Sequence, residues 1–409
     1  MPSQFGWVDF SERDRQRILN TVNLFRMQDT RDELGIGSIR DAFADHFFPG
    51  TSTIQTRAKY MLFIPWVYLD LERKKVSSSE IAQRARNLEV RIIKSLLDNG
   101  ETEGVIGKEV GKDLVRLPSS IYWAGLGHWG IRIFPGSQEE YHRRLDQFYL
   151  QGSLRKDRAF EEGESRPSME NWHPGLPENS GNYIEKAHLT LSRKEAEYLY
   201  ERILMRHTDS LLAKILQHSL DSLKVDFLWE HSGLPSYTPR LQEEILQARN
   251  FSQAIHGAAL IYNYLLAKAR SSEDWSKKYE GKFLEWTGNL TSRWEDLSYW
   301  FAHIQDFWNS YPLLPARLTP PTKTFVNEWL HQIFDYSNPE TLYKRPEVIN
   351  LIIDRETYLK KGRARLKNPE ALKNWGGDSG SQPLNFRWGN ASVIINDILE
   401  GLAQEAENA

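Results

Sequence analysis

Lys360, Lys361, Arg363, Arg365 and Lys367 form the densest cationic run in the chain, and Arg387 and Trp388 follow a glycine loop farther on. Cations at that density neutralise phosphates, and an adjacent indole can stack on a base. The plainer reading is a solvated run or a patch for an acidic partner protein. A second candidate lies nearer the N-terminus. Ile39–Phe47, a short turn and Thr51–Lys59 have the proportions of a helix-turn-helix. Its second helix would present Thr53, Gln55, Arg57 and Lys59 to phosphates and base edges. Any helical hairpin with a Ser/Thr cap has the same outline, and the continuation Met61-Leu62-Phe63-Ile64 marks the rest of that helix as core.

Signatures of catalysis are poor copies. Gly104 to Lys108 and Gly111-Lys112-Asp113 resemble a phosphate loop, but Glu109 and Asp113 stand where a magnesium-binding hydroxyl belongs. Gly377-Asp378-Ser379-Gly380 repeats the nucleophile tetrad of chymotrypsin-like proteases, an all-β fold that this helical chain does not resemble. Asp274 with Glu280-Gly281-Lys282 fits the D…E-x-K shorthand of metal-dependent nucleases, yet it lies in a helical, charge-rich stretch. The 11 histidines show no metal-ligand spacing, and the chain has no cysteine, which removes disulfides, thiol nucleophiles and Cys-ligated metals. No catalytic residue, metal ligand or cofactor is assigned.

The elements that would position these residues are mostly helices. The chain has 409 residues, 52 basic and 55 acidic, so any attraction for nucleic acid must come from a local field. Apolar residues recur at helical spacing at Ile18, Val22 and Phe25 behind Ser11, at Ile39, Phe43 and Phe47, and at Ile81, Ala85, Leu88, Ile92 and Leu96. Pro65 should kink the helix expected from Thr51 or Ser52 through Tyr60 and Trp66 to about Lys74. Ser192-x-x-Glu195 reads as a capping box, and helices are expected around Val348–Tyr358 and Ala391–Leu402. Leu117–Phe134 reads as a helix followed by a short strand. Residues 152–182, rich in Gly, Pro, Ser, Glu and Asn, read as a linker or long loop.

The expected architecture is therefore mainly α and multi-helical. Two packed domains, 1–151 and 183–409, would flank the linker, with at most short strands in the N-terminal part. The 14 tryptophans exceed ordinary usage, and most fit core positions. Trp375 and Trp388 flank the Gly376-Gly377 loop beside the basic run and are the two expected to face a ligand. The first residues lack a basic segment before an apolar run, and no stretch reaches 18 apolar residues, so a cytoplasmic protein with no membrane partner is expected.

Several longer strings carry a resemblance. FGWVDFSERDR, DELGIGSIRDAFADHFFPGTSTIQTRAKYMLFIPWVY, LPSSIYWAGLGHWGIR and the C-terminal RARL…NWGGDSG…LNFRWGNAS…DILEGL resemble bacterial proteins grouped as domain of unknown function 6361. The resemblance runs from Phe5 to Leu402 and brings no activity or catalytic residue with it. It implies an accessory role beside DNA-processing enzymes in antiviral defence loci. The leading expectation is a non-enzymatic protein that contacts DNA or a DNA-processing partner from the same operon. The alternatives are a protein–protein scaffold without nucleic acid, and an unrecognised metal-dependent nuclease or hydrolase.

Overall fold

The computed structural model describes residues 32–109, 114–162, 170–218, 223–310, 314, 318–335 and 338–404. In chain order the first helices are α1 (Gly37–Phe47), α2 (Tyr60–Arg73), α3 (Ile81–Asp98), α4 (Pro118–His128), α5 (Gln138–Glu162), α6 (Arg193–His207) and α7 (Leu211–His218). They are followed by α8 (Pro239–Ala269), α9 (Glu273–Thr291), α10 (Trp294–Ala302), α11 (Ile304–Ser310), α12 (Pro320–Phe334), α13 (Pro346–Lys360), α14 (Pro369–Lys373) and α15 (Trp388–Ala403). The fold is mainly α. No strand forms among the described residues; an isolated antiparallel bridge between Arg132 and Trp172 stands where the sequence suggests a short strand. The helix expected behind Ser11 lies outside the described residues. None of the described helices is long and apolar enough to cross a membrane.

The chain forms two compact units, each assembled from separated stretches. One holds residues 1–43 and 243–386, the other 44–242 and 387–409. In the second unit α2 is apolar on nearly every side, from Tyr60 through Trp66 to Leu71, and is accordingly buried; it packs on α3 and α4. The helix continues through Pro65. α3 is amphipathic instead, burying Ile81, Ala85, Ile92 and Leu96 at the expected spacing. The capping box forms as predicted: Ser192 Oγ accepts from Glu195 N, and the Glu195 carboxylate accepts from Ser192 N at 2.8 Å. α5 runs through Glu162, so the segment expected to open as a linker at 152 begins as helix.

The sequence places the second arm of a helix-turn-helix at Thr51–Lys59, and the structure corrects this. That segment is irregular, and the helix starts at Tyr60. Its amides find other acceptors: Thr56 N and Arg57 N donate to the Tyr122 hydroxyl, Ala58 N to Asp397, and Ser52 N to the Gln55 side chain. A helix would require those same donors for its own ladder, so the acceptors supplied by α4 and α15 hold the segment open.

In the first unit the long helix α8 is the spine. Trp286 from α9 and Trp329 from α12 donate their indole N–H groups to the adjacent α8 carbonyls of Gln253 and Ala254, at 2.7 and 2.9 Å, with ring centroids 6.2 Å apart. Gly257 leaves the room: a Cβ there would sit 2.4 Å from the Trp286 ring. The second unit uses the same device. Trp66 donates to Pro177 O, and Trp129 to Pro49 O. The tryptophans thus act as core fillers whose polar edge ties one element's side chain to another's backbone.

Candidate nucleic-acid interface

Of the four side chains expected to read DNA from the 51–59 segment, Thr53 is exposed and the other three bond internally within the second unit. Gln55 is buried, with its amide nitrogen on Gly50 O and its oxygen on Ser52 N. Arg57 forms a two-pronged pair with Asp397 of α15, at 2.9 Å from both Nε and Nη2 to Oδ1. Lys59, 3% exposed, places its ammonium 2.6 and 2.8 Å from the Glu195 carboxylate oxygens and 3.2 Å from Thr190 O. Burial lowers the Lys59 pKa, and Glu195 opposes that shift. Arg387 and Trp388 belong to the same unit. The Arg387 guanidinium bonds Asp45 and Thr51 O. Trp388 is buried and donates to Val225 O at 2.8 Å, so it does not present its ring as the sequence suggests.

The run at 360–367 lies in the first unit and divides by direction. Lys360 and Arg365 both turn in to the buried carboxylate of Glu33, and Arg365 also donates to Ser379 Oγ at 2.7 Å. The backbone amides of Arg365 and Leu366 donate to the buried Glu356, which Tyr262 also reaches at 2.6 Å. Burial raises the Tyr262 pKa, as does the Glu356 carboxylate, with Arg365 opposing. Lys361, Arg363 and Lys367 are exposed. Asn368 folds the segment back on itself: its amide nitrogen donates to Gly362 O and its oxygen caps α14.

The far end of α14 carries Lys373 into an open cup of about 560 Å³. Trp275 and Trp375 form its aromatic walls with centroids 6.0 Å apart, and Arg270 and Lys373 supply charge. Trp375 is buried as the back wall, its indole N–H without an acceptor among the described residues, while Trp275 is half-buried. The Lys278 ammonium lies 4.2 Å from the Trp275 ring centroid. The loop beneath the cup is bound along one face of α8. Ser252 holds Leu384 O, His256 bonds Ser381 O, Asn263 clamps the amide and carbonyl of Ser379, and Arg270 donates to Trp375 O. Gly377 (φ +96°) passes so close to Trp275 that a Cβ would lie 2.2 Å from the ring. The Gly-Asp-Ser-Gly tetrad therefore sits within this bound loop, with Asp378 accepting from Ser381.

The other motif residues lie apart from the cup's chemistry. Asp274, Glu280 and Lys282 share one continuous helix, α9, and Glu280 accepts the Tyr343 hydroxyl. Among the described residues no group of three His, Asp or Glu is placed to hold a metal ion. Residues 110–113 of the glycine-lysine stretch lie outside the described residues.

Against known proteins, one model, described as "Family of unknown function (DUF6361)", matches residues 2–401. The chain belongs to this family. No curated protein and no solved structure matches it. In this DUF6361 chain, sequence reasoning missed Arg270, Trp275 and Lys278 as a group. The visible signal was a tryptophan in the first turn of a helix with a lysine three residues on, the spacing that brings side chains together on one helix face.

Proposed function

We propose that the first unit binds nucleic acid, taking phosphates on Lys361, Arg363, Lys367 and Lys373 and a base against Trp275. The observation that carries this reading is the cup itself: two indoles meet Arg270 and Lys373, the latter held 2.6 Å from the exposed Glu370 carboxylate, at the end of a segment that also exposes Lys361, Arg363 and Lys367. An open cup favours a single strand or an extruded base over a duplex groove, because a stacked base must present its face. Lys278 does not block it. An exposed cation–π contact contributes about 0.5–1 kcal/mol, less than the roughly 1–3 kcal/mol of a stacked base, and a phosphate can receive the same ammonium. In this reading the protein is a non-enzymatic accessory factor that brings DNA or a DNA-processing partner together.

Fluorescence anisotropy of a labelled oligothymidylate against the full chain tests it. Binding should weaken steeply with salt, and the triple variant K361E/R363E/K367E should flatten the log–log salt slope by about 2, at roughly 0.7 per lost phosphate contact on a single strand. W275A should weaken binding with the salt slope unchanged. Absence of salt-dependent binding to any DNA or RNA, or a stoichiometric protein partner on this face with no nucleic acid, would overturn the reading.

A further inference from the structure

The second unit holds a separate cavity of about 250 Å³ between the start of α2, the 177–188 segment and the first turn of α6. Its floor is aromatic. Phe63, Trp66 and Tyr183 are nearly fully buried, with Tyr183 edge-on to Trp66 at 5.4 Å and stacked on Phe63 at 6.5 Å. The Trp66 indole N–H and the Tyr183 hydroxyl are already bonded, to Pro177 O and Asp70, so the floor offers apolar surface rather than polar handles.

The charge of the cavity is not balanced. Lys59 and Glu195 cancel one another at its base, where the lysine also lies 5.6 Å from the Trp66 ring centroid and 5.8 Å from that of Phe63. That leaves Lys186 and Lys194 at the mouth, with His188, facing one carboxylate, Glu178. Both lysines are exposed, and among the described residues neither has an ion-pair partner. Two lysines beside low-dielectric aromatic walls concentrate a positive potential there.

We propose that this cavity binds a small anion carried on a flat apolar group: a single ring bearing a phosphate or carboxylate. The size selects against larger ligands, because 250 Å³ lies below the roughly 300–1,000 Å³ of sites that enclose drug-sized molecules. The ring rests on the Phe63–Trp66–Tyr183 floor, and the acid group meets Lys186 and Lys194. The site is independent of the nucleic-acid face, since its residues belong to the other unit.

Isothermal titration of the full chain with phenyl phosphate, inorganic phosphate and benzyl alcohol tests it. Phenyl phosphate should bind at least tenfold more tightly than either fragment, because only it uses both halves of the cavity. K186E/K194E should weaken phenyl phosphate at least tenfold. These side chains are exposed, so the variant should keep the wild-type circular dichroism and melting temperature. K361E/R363E/K367E should leave phenyl phosphate binding unchanged, which separates this site from the nucleic-acid face. Equal affinity for the three probes, no heat up to millimolar phenyl phosphate, or binding indifferent to K186E/K194E would each overturn the proposal.

Discussion

Glu89 gives the sharpest test of the second unit's core. It is 3% exposed on α3, and its carboxylate receives Ser119 N at 2.8 Å and Ser119 Oγ at 2.7 Å. Burial pushes its pKa up to about 7, against those two bonds and the charge of Arg86. A hydrogen-bonded chain leads away from it. The Gln138 amide nitrogen donates to Ser119 Oγ and to the Tyr68 hydroxyl, and Tyr68 lies 2.9 Å from His142 Nε2. Gln138 can only donate from that nitrogen, so the Tyr68 proton goes to His142, whose pKa burial lowers to about 4 with Glu139 opposing. An acid and a base are thus both held toward their neutral forms at the two ends of one chain.

The two groups pull stability in opposite directions. Between pH 4.5 and about 7 the folded protein keeps a proton on Glu89 that the unfolded chain releases, so stability falls with rising pH. That shift is worth about 3 kcal/mol when complete, at roughly 1.4 kcal/mol per pKa unit. Between about pH 4 and 6.5 the unfolded chain protonates His142 while the folded protein does not, so stability rises with pH. The wild type should be nearly flat where the windows overlap. E89Q removes the falling branch. It keeps one of the two Ser119 bonds, a pH-independent cost of about 1 kcal/mol, and gains about 3 kcal/mol on the wild type as pH rises from 4.5 to 8. Chemical denaturation across that range reads the difference. Carbon-13 NMR of glutamate carboxyls should show a group titrating near 7 that disappears in E89Q. Parallel stability curves for the two proteins, or no carboxyl titrating above 6, would refute the reasoning.

Three further outcomes follow from the packing. Gly257→Ala normally stabilises a helix by about 1 kcal/mol, but here the new methyl meets the Trp286 ring at 2.4 Å, so the variant should lose about 1–3 kcal/mol by thermal denaturation. Glu33→Gln leaves Lys360 and Arg365 as inward cations without their carboxylate and should cost about 3–5 kcal/mol, whereas Lys367→Gln, on the exposed side of the same run, should stay within about 0.5 kcal/mol of wild type. Trp388→Phe removes the donor to Val225 O and should lower stability by about 1–3 kcal/mol while leaving oligonucleotide affinity unchanged, because this indole is buried in the second unit.

What could be read in advance was whatever depends on near neighbours. The Ser192–Glu195 capping box closes within four residues, and the Ile81–Leu96 stripe needs only a helical period, so both were visible. The Thr51–Lys59 arm was not, because the groups that hold it out of a helix are the hydroxyl of Tyr122 and the carboxylate of Asp397, far along the chain. The two units could not be read either, since each is built from stretches that local composition does not connect.

The basic run shows why cation density is a poor guide to surface. Five cations between 360 and 367 look like one patch, but with a 3₁₀ turn at Lys361–Arg363 and the fold-back after it two members turn inward and three stay exposed. Lys360 and Arg365 meet Glu33, a residue more than 300 positions away in sequence, while Lys361, Arg363 and Lys367 remain outward. The deciding term is desolvation. A buried carboxyl is either kept neutral, as Glu89 is by its raised pKa, or met by donors; where cations are drawn in beside it, as at Glu33, it claims part of a nearby basic run. The same logic buries Lys59 against Glu195 and holds the half-buried Arg57 on Asp397. Of that run Lys361, Arg363 and Lys367 stay exposed, on the segment that leads to the Trp275–Trp375 cup.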